Sequence, residues 1–183
     1  MNVPQTNART QPRAPLQCEL ALRGRDSRGK ALARDLRTKN ESEVKVSPQQ
    51  VDIVQKTWRL VQPIGDTAAE LFYGKLFSLA PEVRPLFKND LRDQGRNFTA
   101  MISVAVHWLA RPEKILLAIQ QLGRRHAAYG VQARHYDIVA TALLWMLEKC
   151  LGETFTAEAR GAWSAAYHML AKAMQQAAGC LSA

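Results

Sequence analysis

Downstream of Val46, hydrophobic residues recur at helical spacing almost to the end of the chain. Ser47, Pro48 and Gln50 have the arrangement of a capping box with proline at the first helical position, so a helix is expected to start there. Val51, Val54, Trp58 and Val61 form its apolar side, and Pro63 closes it. Asp66 opens a second stripe of Leu71, Phe72, Leu76 and Phe77, after which Pro81 and Pro85 confine the next helix to a turn or two. Beyond Asn89 a longer helix carries Phe98, Met101, Ile102, Ala105 and Leu109 on one side. Pro112 begins another with Ile115, Ile119 and Leu122, weakened towards its end by Gly123 and Gly130. Tyr136, Val139, Leu143 and Leu147 mark a sixth helix up to Gly152, and Trp163, Tyr167, Leu170 and Met174 a seventh after a Thr156 cap. No strand pattern competes. Amphipathic helices, each with one wide apolar stripe, predict a packed all-α domain over residues 47–183.

Polar residues on apolar stripes are the informative exceptions, because burial without a partner costs free energy. His126 continues the series Ile115, Ile119, Leu122 at intervals of four, three and four. Its imidazole is therefore expected in the core, either bonded to a backbone carbonyl or ligating a metal, and the pattern leaves both open. Gln94 is the same kind of exception, preceding Phe98, Met101 and Ala105 at helical spacing. Two inward polar groups on consecutive helices suggest a shared cavity. His107 points about 220° away from the Gln94 face and is expected in solvent. His135, at a helix start, and His168, one step off the Tyr167 stripe, are expected in surface or capping roles. No HExxH, P-loop, GxSxG or GxGxxG motif is present, so hydrolytic and nucleotide chemistry lack a site.

Composition changes the picture mainly at the N-terminus. Residues 1–46 hold ten of the 25 Lys and Arg and five of the 16 Asp and Glu, so +5 of the net +9 falls there. With Pro4, Pro12 and Pro15 and without aromatics or an apolar period, this segment is expected to be a disordered basic tail. It lacks the apolar h-region of a secretory signal, and five acids argue against a transit peptide. Without stacking aromatics, its charge does not make nucleic acid an expected partner. No apolar run reaches the roughly 20 residues of a membrane span. Cys18, Cys150 and Cys180 form no CxxC pair, which argues against a disulfide framework, zinc and thioether-attached haem. A reducing, cytoplasmic setting is expected.

LGRRHAAYGV (Leu122 to Val131), LLWMLEKCLGETFT (Leu143 to Thr156) and the pair Ala162 and Trp163 resemble the globin family. The similarity is to neuroglobin and to bacterial single-domain globins of the Hell's Gate and flavohaemoglobin type, and spans residues 47–183. It implies a three-over-three helical sandwich around a noncovalently held haem b, with His126 as the proximal iron ligand. Phe87 matches the phenylalanine packed on the haem face, Tyr73 the distal tyrosine and Gln94 the distal glutamine. Phe98 is expected above the iron, with Met101, Leu122, Val131 and Tyr136 completing the cofactor-binding set. The ligands implied are O2, NO and CO. Donors at Tyr73 and Gln94 would favour dioxygen, whose outer atom carries partial negative charge; hydrogen bonds to charged groups contribute roughly 1.5–3 kcal/mol each.

Departures from the family pattern sharpen these expectations. Gln94 replaces the distal histidine of neuroglobin, which points to a pentacoordinate or water-bound iron. The chain stops at Ala183 without flavin and nicotinamide domains, so an external reductase is expected for turnover. Tyr136 matches the proximal tyrosine of flavohaemoglobins, yet no glutamate lies near Cys180 to partner it. The function implied is reversible dioxygen binding. The alternatives are nitric oxide dioxygenation with a separate reductase, and a haem-free interaction or sensor module.

Overall fold

The computed structural model describes residues 45–87 and 90–179. The tail expected over residues 1–46 lies outside them, apart from Lys45 and Val46. The described residues form six α-helices: α1 Pro48–Val61, α2 Gly65–Leu79, α3 Leu91–His107, α4 Leu116–Ala128, α5 Ala133–Leu151 and α6 Ala157–Gly179. No strand occurs among them.

Local chemistry accounts for the helix ends. The Ser47 hydroxyl accepts from the Gln50 N–H, while the Gln50 side chain accepts from the Ser47 N–H, closing the expected capping box. Asp90 accepts from Arg92 N at 2.7 Å and starts α3. Thr156 accepts from Ala159 N at 3.2 Å ahead of α6. The prolines act as the sequence suggests but more tightly: Pro63 and Pro81 sit in the 3-10 turns Gln62–Ile64 and Pro81–Leu86 instead of simple breaks. Pro112 likewise begins a 3-10 turn, and the α-helix follows only at Leu116, later than expected.

The helices build a three-over-three sandwich, with α1, α3 and α4 in one layer and α2, α5 and α6 in the other. Helices α4 and α1 lie against α6, and α3 lies against α2. Met146 and Leu147 of α5 and Val54 and Val61 of α1 are the largest fully buried side chains. Trp58 and Trp163 meet edge to face at 5.9 Å, and each indole N–H has an acceptor: Ser103 at 3.0 Å for Trp58 and Thr57 at 2.9 Å for Trp163. The first, third and last helices are thereby joined by satisfied polar contacts inside an apolar core.

Two crossings depend on missing side chains. A Cβ on Gly95 would stand 2.9 Å from the Ala69 methyl group, so α3 can lie this close to α2 only with glycine there. Gly123 plays the same part between α4 and α6, against the backbone of Met174. Gly123 is thus a packing residue, where its sequence context read as a weak point. Gly130 ends the helix outright. With φ +83° it forms a Schellman turn in which Gly130 N–H donates to Ala127 O and Val131 N–H to His126 O, both at 3.0 Å.

Three residues sit differently from expectation. Met101 is 47% exposed, because the face of α3 turned to the core runs through Gly95 and Val106, placing Met101 at its edge. Leu109 is buried but lies beyond the end of α3, carried inward by a turn in which Leu109 N–H donates to Val106 O. His135 is buried at 8% exposure, not at the surface. Its capping role does hold, since Nδ1 accepts from Gln132 N–H at 3.0 Å. Its Nε2 has no partner among the described residues. His107 and His168 are exposed as expected.

Candidate functional site

His126 lies on the last turn of α4, half-buried, one turn before the Schellman close at Gly130. Its Nδ1 is 2.9 Å from the carbonyl oxygen of Leu122. A carbonyl can only accept, so Nδ1 carries the hydrogen and Nε2 is left with a free lone pair. Burial holds the pKa of His126 below its ordinary value, and the Leu122 bond opposes that shift. The side chain is therefore a neutral imidazole whose Nδ1 is fixed by a backbone carbonyl, the support that a metal-binding histidine commonly has. Of the two alternatives for His126, the structure shows the bond to a backbone carbonyl, made by Nδ1.

The ring of Tyr136, from the first turn of α5, lies 6.3 Å from the His126 ring at 29°. Tyr136 is buried, and desolvation raises its pKa. Tyr167 of α6 fixes it from behind, its hydroxyl donating to the Tyr136 carbonyl at 2.7 Å. Leu122 and Val131 join this group through their bonds to His126, by the Leu122 carbonyl and the Val131 N–H. Three helices and the turn after α4 therefore converge on one imidazole.

A second group gathers where α2, the Pro81–Leu86 turn and α3 meet. Tyr73 is 7% exposed and burial pushes its phenol up to about 12. Its ring lies 5.4 Å from that of Phe87 and 5.8 Å from that of Phe98, while Phe98 stacks on Phe72 at 4.1 Å. The Tyr73 hydroxyl donates to the main-chain oxygen of Gln94 at 3.4 Å, a long bond. Gln94 is half-buried, and it shares an edge of α3 with Phe98 and with the exposed Met101. Tyr73, Phe87, Phe98 and Gln94 are thus brought together, whereas Met101 stands at the margin. Phe72 and Phe77 also belong to this cluster but were read from sequence only as core positions.

Among the described residues no three His, Cys, Asp or Glu side chains gather as a metal site. A metal held at His126 would take most of its ligands from a prosthetic group, as a porphyrin provides. No helix of the described residues is long and apolar enough to cross a membrane.

Two packed helical layers thus carry a neutral, half-buried histidine on α4 and a buried phenol on α2. A family model described as Globin matches residues 70–174, and the chain belongs to the globin family. Among curated relatives, the flavohemoprotein of Xylella fastidiosa is 29% identical over 70% of this chain and 33% of its own length. The flavohemoprotein of Bordetella pertussis is 30% identical over 69% of this chain and 32% of its own. The chain thus spans about a third of the length of the curated relatives it matches. Among solved structures, a bacterial globin from Campylobacter jejuni superposes with a TM-score of 0.67 at 24% identity, covering 74% of this chain and 99% of that one. A carbene transferase engineered from a Rhodothermus marinus protein proposed as a nitric oxide dioxygenase superposes with a TM-score of 0.69 at 25% identity, covering 75% and 96%.

Proposed function

We propose that residues 47–183 form a globin domain that holds haem b noncovalently, with its iron on Nε2 of His126, and binds dioxygen reversibly. The observation that carries the reading is the Leu122–His126 bond, which fixes the tautomer and leaves Nε2 as the free electron pair. Haem, when bound, would supply an iron able to take a diatomic ligand. Phe87 and Phe98 supply apolar contact to the porphyrin and keep water out, and Leu122, Val131 and Tyr136 close the side around His126. Met101, being exposed, is free to cover a porphyrin edge. Tyr73 stays a neutral donor, since its phenol ionises only at about 12, and its present bond to Gln94 O is long enough to be exchanged for a better acceptor. With the Gln94 amide it would favour dioxygen over the less polar carbon monoxide. The absorption spectrum of purified protein supplied with haemin tests this directly. A Soret band is expected in the wild type and is lost or shifted in His126→Ala; a colourless wild type overturns the proposal.

The likeness to the Rhodothermus marinus protein proposed as a nitric oxide dioxygenase favours a second reading, in which the same site converts nitric oxide to nitrate at the expense of dioxygen. Electrons for repeated turnover would come from a separate reductase. Anaerobic mixing of the oxygenated protein with nitric oxide, followed by turnover with added reductants, separates the two: sluggish re-reduction favours simple binding. A haem-free interaction module is disfavoured by a buried phenol and a half-buried imidazole and amide, which such a role would leave without purpose. The cytoplasm remains the proposed setting.

A further inference from the structure

Gly123 lies one turn before His126 on α4, and the backbone of α6 occupies the space where a side chain would begin. A Cβ there would collide with the Met174 carbonyl oxygen and stand 2.7 Å from its Cα and 2.8 Å from its carbonyl carbon. These are main-chain atoms inside a helix of 23 residues, so no rotamer change can relieve the clash. Any larger residue must lift α4 off α6 or tilt it. His126 moves with α4, because its Nδ1 is tied to the Leu122 carbonyl of the same helix. The ring facing it does not, because the Tyr136 carbonyl is held by the Tyr167 hydroxyl of α6 at 2.7 Å. Helix α6 thus carries both the stop that limits α4 and the tie that fixes Tyr136.

We infer that Gly123 is a positioning residue for the proximal imidazole: its missing side chain lets α4 rest on the Met174 backbone and so sets how far His126 Nε2 projects from the helix pair. The inference rests on the haem reading above. It assigns to Gly123 control of the iron–imidazole bond, with Tyr167 as the opposing brace.

The test compares wild type, Gly123→Ala and Gly161→Ala, all supplied with haemin; Gly161 is an exposed helical glycine with nothing within 4 Å of a Cβ. Resonance Raman of the ferrous, ligand-free protein reads the iron–imidazole stretch, and transfer of haem to excess scavenging apoprotein reads its loss. Gly123→Ala is expected to shift the stretch and to speed haem loss by about tenfold or more. Gly161→Ala is expected to change neither. In a His126→Gly background rescued with free imidazole, the ligand is not tethered to α4, so adding Gly123→Ala should leave the stretch unmoved. A stretch unmoved by Gly123→Ala in the intact protein, or moved equally in the rescued background, overturns the inference while leaving haem binding by His126 intact. If Gly123→Ala does not fold, Tyr167→Phe decides, since it removes the brace without a clash; an unmoved stretch there overturns the inference. A wild type that takes up no haem overturns the functional proposal and this inference together.

Discussion

The hydroxyl of Tyr73 meets Gln94 at its main-chain oxygen, 3.4 Å away, not at its side-chain amide. Tyr73 therefore leaves the Gln94 amide unused, and its own long bond can be exchanged for one to a ligand. A bond of that length contributes little to the fold, so Tyr73→Phe should unfold at nearly the wild-type temperature. The same substitution should speed dioxygen release by about 10- to 150-fold, the equivalent of one charge-assisted hydrogen bond. Gln94→Leu should act in the same direction. Stopped-flow displacement of dioxygen measures both, and unchanged release rates in the two variants would refute the distal role.

The buried contact of Trp163 with Thr57 predicts an asymmetry. Thr57→Val keeps the shape but strips the acceptor from the indole N–H, and an orphaned buried donor costs about 1–3 kcal/mol. Thr57→Ser retains the oxygen and should be distinctly milder. Urea unfolding of the two variants decides; a loss in Thr57→Ser as large as that in Thr57→Val would refute the dominance of the hydroxyl.

Gly95 and Ala69 form a pair that can be exchanged. Gly95→Ala alone should destabilise by about 1–3 kcal/mol through overpacking, because the new methyl group meets that of Ala69. Ala69→Gly in the same chain removes the obstacle and should recover most of the loss, because the exchange only moves one helical glycine from α3 to α2. Strict additivity in a double-mutant cycle would show that the helices simply move apart.

Alkaline stability follows from two phenols. Burial pushes Tyr73 up to about 12 and Tyr167 further, the latter also raised by the Tyr136 and Asp137 charges. In the unfolded chain both ionise near the ordinary value of about 10. Above that value the unfolded state holds fewer protons than the folded one, so stability declines as pH rises, while below it neither group contributes. The urea midpoint of the haem-free protein should therefore fall on the alkaline side, and less steeply in Tyr167→Phe. Superimposable pH profiles for the two proteins would contradict this.

Much of the architecture was legible because its causes are local. Ser47 and Gln50 cap each other within one turn, Thr156 caps three residues ahead, and the stripe of Val51, Val54, Trp58 and Val61 is buried throughout. The inward direction of His126 was legible for the same reason, since periodicity alone fixes which side of a helix a residue takes. What escaped depends on partners remote in sequence. Gly123 looks like a helix weakener until Met174 is known to lie against it, and nothing local marks Gly95 as a packing residue until Ala69 is placed beside it. Met101 has the right spacing for burial but sits at the rim of its stripe, where a small rotation of α3 decides exposure. His135 has the spacing of a cap, yet its burial comes from how α5 packs after the cap has formed.

Helix α6 is the last of the described helices to leave the ribosome, and both the rest for α4 and the brace on Tyr136 belong to it. Until Met174 has been synthesised and docked, the segment bearing the imidazole has no surface to settle on. Under the haem proposal, loading of the prosthetic group waits for α6, and a nascent chain cut short of α6 should emerge pale even where haemin is plentiful.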